Sequence, residues 1–364
     1  RGRAMDFALT EEQLMLQESI GGYLRSACPL DSVREATGVG STHVPKIAAG
    51  LAELGAVGIL IPEELGGVGM GFLEAALISE ALGSVIAPVS FVASSVMAPV
   101  ALLGAGSQEQ RETWLPRIAS GEVIIGVGIS EHIGRRETDG IFADDDTLTG
   151  KAMFVLDGMD ADTLLVADNE AQLYLVQASD VTRNKLKTID RTRSVAEIIL
   201  DQTSAEILPG SVNNRKHLKD MVNAGRVMLA ADTLGAAGTM LEQAIEYAKE
   251  RRQFNRVIGS FQAVKHMCSE MAADLEPCRS LVWYAAHAIR AIPDEATLMA
   301  CHAKAHLAET GRFVARKATE VHGGMGFTDL LGLHYWFKRI GFDRQLLGAP
   351  EVVREEAAVA QGWI

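Results

Sequence analysis

The spacing of apolar residues changes twice along the chain. Up to about residue 120, apolar side chains recur every three or four positions, as they do on one face of a helix. Thr10 and Gln13 form a capping box where the first such helix should begin, and further helices are predicted at 44–54 and 71–83. The string IPEELGGVGMG between them is too rich in Gly and Pro for a helix or strand, so it predicts a turn.

After Gly121 the pattern becomes that of short strands. Runs rich in β-branched residues are separated by Gly, Asp and Asn, as in a compact antiparallel domain: VIIGVGI, TLTGKAMFVL, DTLLVA, QLYLVQ and VAEIILD. From Lys216 onward, long helical stretches return. We therefore expect an α+β multidomain protein with an N-terminal helical domain (5–120), a middle antiparallel β domain (121–213) and a C-terminal four-helix bundle (214–364).

Composition and charge narrow the function. The chain has 364 residues, of which 48% are hydrophobic, so it can bury sizeable cores. Its net charge of −13 disfavours a nucleic-acid binder. Four cysteines without metal-site spacing predict a reducing compartment, the cytoplasm, and no metal centre. The most apolar stretch, 86–103, is interrupted by two prolines, so we expect a buried helix rather than a membrane span.

Several strings, in their order, resemble the acyl-CoA dehydrogenase family from residue 5 to residue 364: MDFALTEEQ, PEELGGVG and GSQEQRETWLPRIASGE. The later string FTDLLGLHYWFKR is most similar to a bacterial subgroup that includes steroid side-chain dehydrogenases. The resemblance implies FAD as cofactor, an acyl-CoA substrate, an electron-transfer flavoprotein as oxidant, and an oligomer of two or four chains of one or two kinds.

The string RRQFNRVIGSFQ carries the most specific part of the resemblance. Arg251, Phe254, Ile258 and Gln262 lie on the family's element for the pyrophosphate and adenine half of an FAD that the neighbouring subunit mainly binds. A guanidinium can donate two parallel hydrogen bonds to phosphate oxygens, and an aromatic ring offers a stacking surface. The alternative is an arginine on a solvated helix face with a phenylalanine in the core.

A second element, EVHGGMGFT, resembles the family's glycine turn against the dinucleotide. Gly323 and Gly324 would let the backbone approach a phosphate closely. The alternative is a helix that ends in capping glycines. Glu320 departs from the family pattern, because it stands where glutamine is usual and so offers only acceptors. We interpret His322 and His334 as packing residues.

The segments that resemble the flavin-ring site match less well. Ile129 and Ser130 fit the family string. Its following Gly-Ser-Asp is replaced by Arg135, Arg136 and Glu137. Phe154 and Leu156 replace the family's tryptophan and threonine, so a hydroxyl near flavin N5 is missing.

The catalytic base is also missing from its usual positions. The family's reaction needs a carboxylate to remove the α-proton while the β-hydrogen leaves as hydride to the flavin. Leu347 and Gly225 occupy the two positions where the family keeps this glutamate. Asp232 lies about two helical turns after Gly225, which makes it the first candidate, and Glu351 is the second.

Three functions therefore remain open. The chain is a complete homomeric acyl-CoA dehydrogenase, or a catalytically incomplete subunit that completes the FAD site of another chain, or a flavin monooxygenase or nitroalkane oxidase of the same fold. The missing base and the altered ring segment favour the second. No feature specific to oxygen chemistry supports the third, although a shared fold does not exclude it.

Overall fold

The computed structural model describes residues 8–133 and 140–364, and its first part is helical. The helices are α1 (Glu11–Ala27), α2 (Leu30–Gly38), α3 (Pro45–Glu53), α4 (Phe72–Ser84), a π-helix (Val92–Met97), α5 (Ala98–Ala105) and α6 (Gln108–Ala119). The capping box is confirmed, because Gln13 N–H donates to Thr10 Oγ1 (3.2 Å) and Thr10 N–H donates to Gln13 Oε1 (2.9 Å). Helices α3 and α4 match the predicted ones.

The apolar stretch around residues 86–103 is buried in the protein interior. It forms the π-helix and most of α5, and Pro99 is accommodated in the first turn of α5. Within the described residues, no helix is both long and apolar enough to cross a membrane. All four cysteines are unpaired.

The middle of the chain forms a mixed sheet. Its strands are β1 (Ile125–Gly128), β2 (Ile141–Asp144), β3 (Thr147–Leu156), β4 (Thr163–Ala167), β5 (Leu173–Gln177), β6 (Thr182–Lys185), β7 (Val195–Ser204) and β8 (Glu206–Ile207). The order is β6-β7-β3-β1-β4-β5-β8, with β2 paired to β3. The sequence predicted antiparallel pairing throughout, but β1 and β4 are parallel. Because the β2–β3 hairpin lies between them in the chain, β4 can return in the direction of β1.

The C-terminal part is a helical bundle with one small hairpin. Its elements are α7 (Lys216–Glu250), β9 (Arg252–Gln253), β10 (Arg256–Val257), α8 (Gln262–Ala291), α9 (Pro293–His322), α10 (Leu333–Asp343) and α11 (Pro350–Ala360). Three long helices and two short ones make up the bundle. Helix α7 packs against both α4 and α9, so its middle is deeply buried. The division into three domains stays a prediction.

Candidate functional site

A pocket of about 630 Å³ lies between the sheet and the α10–α11 region. This volume is within the roughly 300–1,000 Å³ range of small-molecule sites. Its wall brings Ile129, Ser130 and Phe154 together with Leu347, although the last is remote from the others in sequence. The ring-site residues and one of the usual base positions therefore share one cavity.

Two wall residues have strained backbones. Phe154 (φ 52°) and Leu347 (φ 53°) both adopt the left-handed region, which is rare for residues other than glycine. The register of β3 against β7 shifts between Ala152 and Val155, and Phe154 lies within this bulge with 37% exposure. Strain of this kind is common at functional sites, where the surrounding structure enforces it.

The pocket wall is almost uncharged. Among the described residues that line it, Lys187 is the only charged one. A Cβ atom placed on Gly225 would lie 2.5 Å from Leu347 Cδ1 and 2.8 Å from Met97 Sδ. The two usual base positions therefore meet, and apolar atoms fill the space between them. Arg135, Arg136 and Glu137 lie outside the described residues.

Buried Lys304 supports the loop that carries Leu347. Its Nζ donates to the carbonyl oxygens of Asp343 (2.8 Å), Arg344 (3.1 Å) and Gly348 (3.3 Å). Burial lowers the pKa of Lys304 to about 7, and the nearby Asp343 carboxyl opposes that shift. The end of α10 and the loop after it are thus tied to α9.

A buried arginine supports the same loop from α7. Arg226 Nε donates to the Leu347 carbonyl (2.8 Å), while its guanidinium also pairs with Glu356, 2.8 Å to Oε1. Neither Arg226 nor Lys304 was predicted from the sequence as part of the site. The available sequence signal is that each is the one Lys or Arg in a mostly apolar helical run, GRVMLAA and CHAKAHLA.

Asp232 lies in a buried ion cluster instead of on the pocket wall. Its carboxylate accepts from Arg339 (3.0 and 3.1 Å) and contacts Arg193 at 3.0 Å. Asp343 and Asp190 complete the cluster. Burial alone would raise the pKa of Asp232, but the two guanidinium groups hold it well below its usual range. A carboxylate held this way is a weak base, so the geometry argues against a catalytic role.

Glu351, the second candidate base, is exposed and also lies off the described pocket wall. Its Oε1 is 3.5 Å from Arg344. Neither candidate is brought to the cavity.

The RRQFNRV segment forms an exposed hairpin of β9 and β10. Phe254 and Asn255 at its tip both have positive φ (53° and 61°), as in a type I′ turn. The Phe254 side chain is 87% exposed, and Arg251 and Gln262 are exposed as well. Half-buried Ile258 closes the base of the hairpin, where its N–H donates to the Arg251 carbonyl at 2.7 Å.

The glycine turn is open to solvent. Gly323 (φ 59°) follows α9 directly, and added Cβ atoms on Gly323 or Gly324 would meet nothing within 4 Å. Exposed Glu320 pairs with Lys317 at 2.9 Å. Buried His322 packs against Tyr247 near the hairpin, so the structure brings the hairpin and the glycine turn close together.

Two family models match the chain, the acyl-CoA dehydrogenase N-terminal domain over residues 10–122 and the acyl-CoA dehydrogenase C-terminal domain over residues 216–361. The chain belongs to the acyl-CoA dehydrogenase family. The acyl-CoA dehydrogenase IpdE2 of Mycolicibacterium smegmatis is 28% identical over 354 residues, which cover 96% of this chain and 100% of that protein.

Solved structures of the family share the fold. The ChsE4–ChsE5 complex from Mycobacterium tuberculosis contains a chain that is 27% identical, with a TM-score of 0.88 and coverage of 98% of this chain and 99% of that one. A glutaryl-coenzyme A dehydrogenase in complex with glutaryl-CoA gives a TM-score of 0.90 at 23% identity, with coverage of 99% and 97%.

Proposed function

We propose that this chain is the catalytically incomplete subunit of a heteromeric, FAD-dependent acyl-CoA dehydrogenase. The assembled enzyme desaturates an acyl-CoA thioester between its α and β carbons and passes electrons to an electron-transfer flavoprotein. The observation that carries the proposal is the contact between Leu347 and Gly225, because both usual base positions are apolar and packed together. The unpaired cysteines are in keeping with a cytoplasmic enzyme.

The residues of this chain suit FAD at two separate places, one fitting its ring system and the other its dinucleotide half. The pocket with Ile129, Ser130 and Phe154 offers a mostly apolar slot for a ring system. The exposed hairpin with Arg251 and Phe254, beside an open glycine turn, offers cationic and aromatic contacts for a dinucleotide. No described residue of the hairpin or the turn lines the pocket. Both halves can therefore serve one FAD if two subunits contribute them.

Bound FAD would supply the acceptor for the hydride that leaves the β carbon. This chain's own part would be to bind the pyrophosphate and adenine half of the partner's FAD with Arg251, Phe254 and the glycine turn. Removal of the α-proton would fall to a carboxylate of the other subunit, since no described wall residue is an acid. The structural similarity to a chain of the ChsE4–ChsE5 complex supports an enzyme assembled from two kinds of chain.

Flavin bleaching by a panel of acyl-CoAs, including bulky steroid-derived ones, tests the proposal. The chain is purified alone and after co-expression with the products of neighbouring genes. We expect bleaching only with a partner, and no effect of Asp232→Asn or Glu351→Gln when each assembled variant retains its flavin. Loss of a positioned base typically lowers the catalytic rate by about 10²- to 10⁴-fold. Bleaching with a functional base is therefore easy to distinguish from bleaching without one.

The opposite result would identify a complete homomeric enzyme. Fast bleaching by the isolated chain would contradict the partner role. The variants Asp232→Asn and Glu351→Gln would then test the two sequence candidates for its base. A Leu347→Glu variant, with Leu347→Gln as the matched control, asks further whether a carboxylate at the usual position makes the isolated chain active.

A further inference from the structure

Two aromatic rings meet where α7 and α9 end. The ring centroids of Tyr247 and His322 are 4.7 Å apart, and the ring planes are inclined by 31°. His322 is buried, and its Nδ1 is 2.7 Å from the Ala318 carbonyl oxygen. Hydrogen bonds to the backbone of Ala318 and Gln243 hold the imidazole in one orientation. Burial lowers the pKa of His322, so the contact is one between neutral rings near pH 7.

Each ring is directly connected to one of the two exposed elements. The Arg251 N–H donates to the Tyr247 carbonyl at 2.8 Å, so Tyr247 lies one turn before Arg251. His322 is followed immediately by Gly323, whose N–H donates to the Glu320 carbonyl as the helix ends. The two helices, α7 and α9, pack along each other and deliver the hairpin and the glycine turn to the same place.

We propose that Tyr247 and His322 are positioning residues that fix the hairpin relative to the glycine turn, so that both elements reach one FAD at the same time. The inference rests on the proposed function. The two elements follow the C-terminal ends of two different helices, α7 and α9, which are separated in sequence by α8. Phosphate recognition by a guanidinium is directional, so a small displacement of Arg251 from the glycine turn would weaken binding. Packing of α7 against α9 brings the two elements together, and the ring contact fixes their separation where the helices end.

The test measures FAD affinity in the assembled oligomer that binds FAD, by quenching of flavin fluorescence. Tyr247→Leu and His322→Gln each remove one ring, and the glutamine retains a donor group. We expect each to weaken FAD binding by roughly three- to tenfold, the range for loss of one ring–ring contact. Tyr247→Phe keeps the ring and should bind FAD as wild type does.

The control is Val314→Ala, a cavity-forming change at a buried position of α9 about two turns before His322. It should lower Tm without changing FAD affinity. Wild-type affinity in folded, oligomeric Tyr247→Leu and His322→Gln would overturn the inference, as would equal weakening by Val314→Ala at a matched loss of Tm. If Arg251→Ala also retained wild-type affinity, the proposed function would fail as well, which separates the two failures. Wild-type protein without FAD in any assembly would overturn both.

Discussion

At the scale of single residues, burial and neighbouring charges determine the pKa values of the buried carboxylates. Two arginines and three aspartates meet in one buried cluster: Arg193, Arg339, Asp190, Asp232 and Asp343. With all five ionised, the cluster would carry one excess negative charge. The guanidinium groups lower the pKa of Asp232, whereas burial, with the Asp232 charge adding to it, raises that of Asp343 well above its usual range. The directions of these two shifts favour the protonated form of Asp343 over that of Asp232.

We predict that two isosteric changes in this cluster have very different costs. Asp232→Asn removes the carboxylate that Arg339 and Arg193 share, so it should destabilise the fold by about 3–5 kcal/mol. Asp343→Asn mimics the protonated acid and should cost less than about 1.5 kcal/mol. Denaturant unfolding of both variants measures the difference. Equal costs, or a milder effect of Asp232→Asn, would contradict the assignment of the proton to Asp343.

The raised pKa of Asp343 also gives stability a pH dependence. In the unfolded chain this acid ionises near pH 4, at about its reference value. The native state retains the proton to higher pH, so above pH 4 it binds more protons than the unfolded state does, and the free energy of unfolding falls as pH rises. The Tm of Asp343→Asn, relative to wild type, should therefore increase from pH 4 to pH 7. A difference in Tm that stays constant over this range would argue against the raised pKa.

At the scale of elements, the loop after α10 depends on cations from two other helices. Lys304 on α9 satisfies three carbonyl oxygens there, and Arg226 on α7 satisfies a fourth. Leu347 keeps its left-handed conformation within this framework. The shape of the pocket wall is therefore set by the packing of α7 and α9 more than by the loop's own sequence.

We predict that Lys304→Met loosens this loop. The change leaves buried carbonyls without a donor, at a cost of about 1–3 kcal/mol. Hydrogen exchange of the peptide that contains residues 344–349 should become faster, and Tm should fall. The matched control is Lys317→Met on the same helix, where a partly exposed pair with Glu320 contributes no more than about 1 kcal/mol. Unchanged exchange in Lys304→Met would show that Arg226 alone suffices.

Local sequence patterns predicted most elements because their causes are local. The capping box at Thr10, the helices at 45–53 and 72–84, and the strand at 147–156 each follow from caps, periodicity and turn residues. The parallel β1–β4 pair was not predictable in this way, since strand order depends on packing between distant segments. The same holds for the site. Residue types suggested Asp232 as base, but only the fold brings Arg339 and Arg193 onto it.

At the scale of the whole molecule, the hairpin and the region of the glycine turn expose large apolar side chains to solvent. Phe254 is a large apolar side chain at 87% exposure on a strained turn, and Phe327 and Leu330, which follow Gly323 and Gly324 in sequence, are also exposed (80% and 75%). Apolar surface of this kind usually marks a contact with another molecule. Under the proposed function, a second subunit and its FAD would cover it.

Two variants of this chain separate its roles in the assembled enzyme. Arg251→Ala removes the phosphate-binding group of the exposed hairpin. Gly341→Phe places a ring in this chain's own pocket, where an added Cβ first meets Ile189 at 3.4 Å. If Arg251 serves the partner's FAD, Arg251→Ala should lose flavin and acyl-CoA bleaching, because a lost charge-assisted hydrogen bond costs about 1.5–3 kcal/mol. Gly341→Phe should retain the partner's flavin and its activity.

The comparison requires that both variants assemble as wild type does, which sedimentation and co-purification establish. If the hairpin instead serves this chain's own pocket, the two variants affect the same flavin, and Gly341→Phe should abolish as much bleaching as Arg251→Ala does. If Arg251→Ala retains flavin at wild-type affinity, the hairpin binds neither the partner's cofactor nor this chain's own. Because only the arrangement across the subunit boundary predicts loss in one variant and retention in the other, the pair of measurements decides between them.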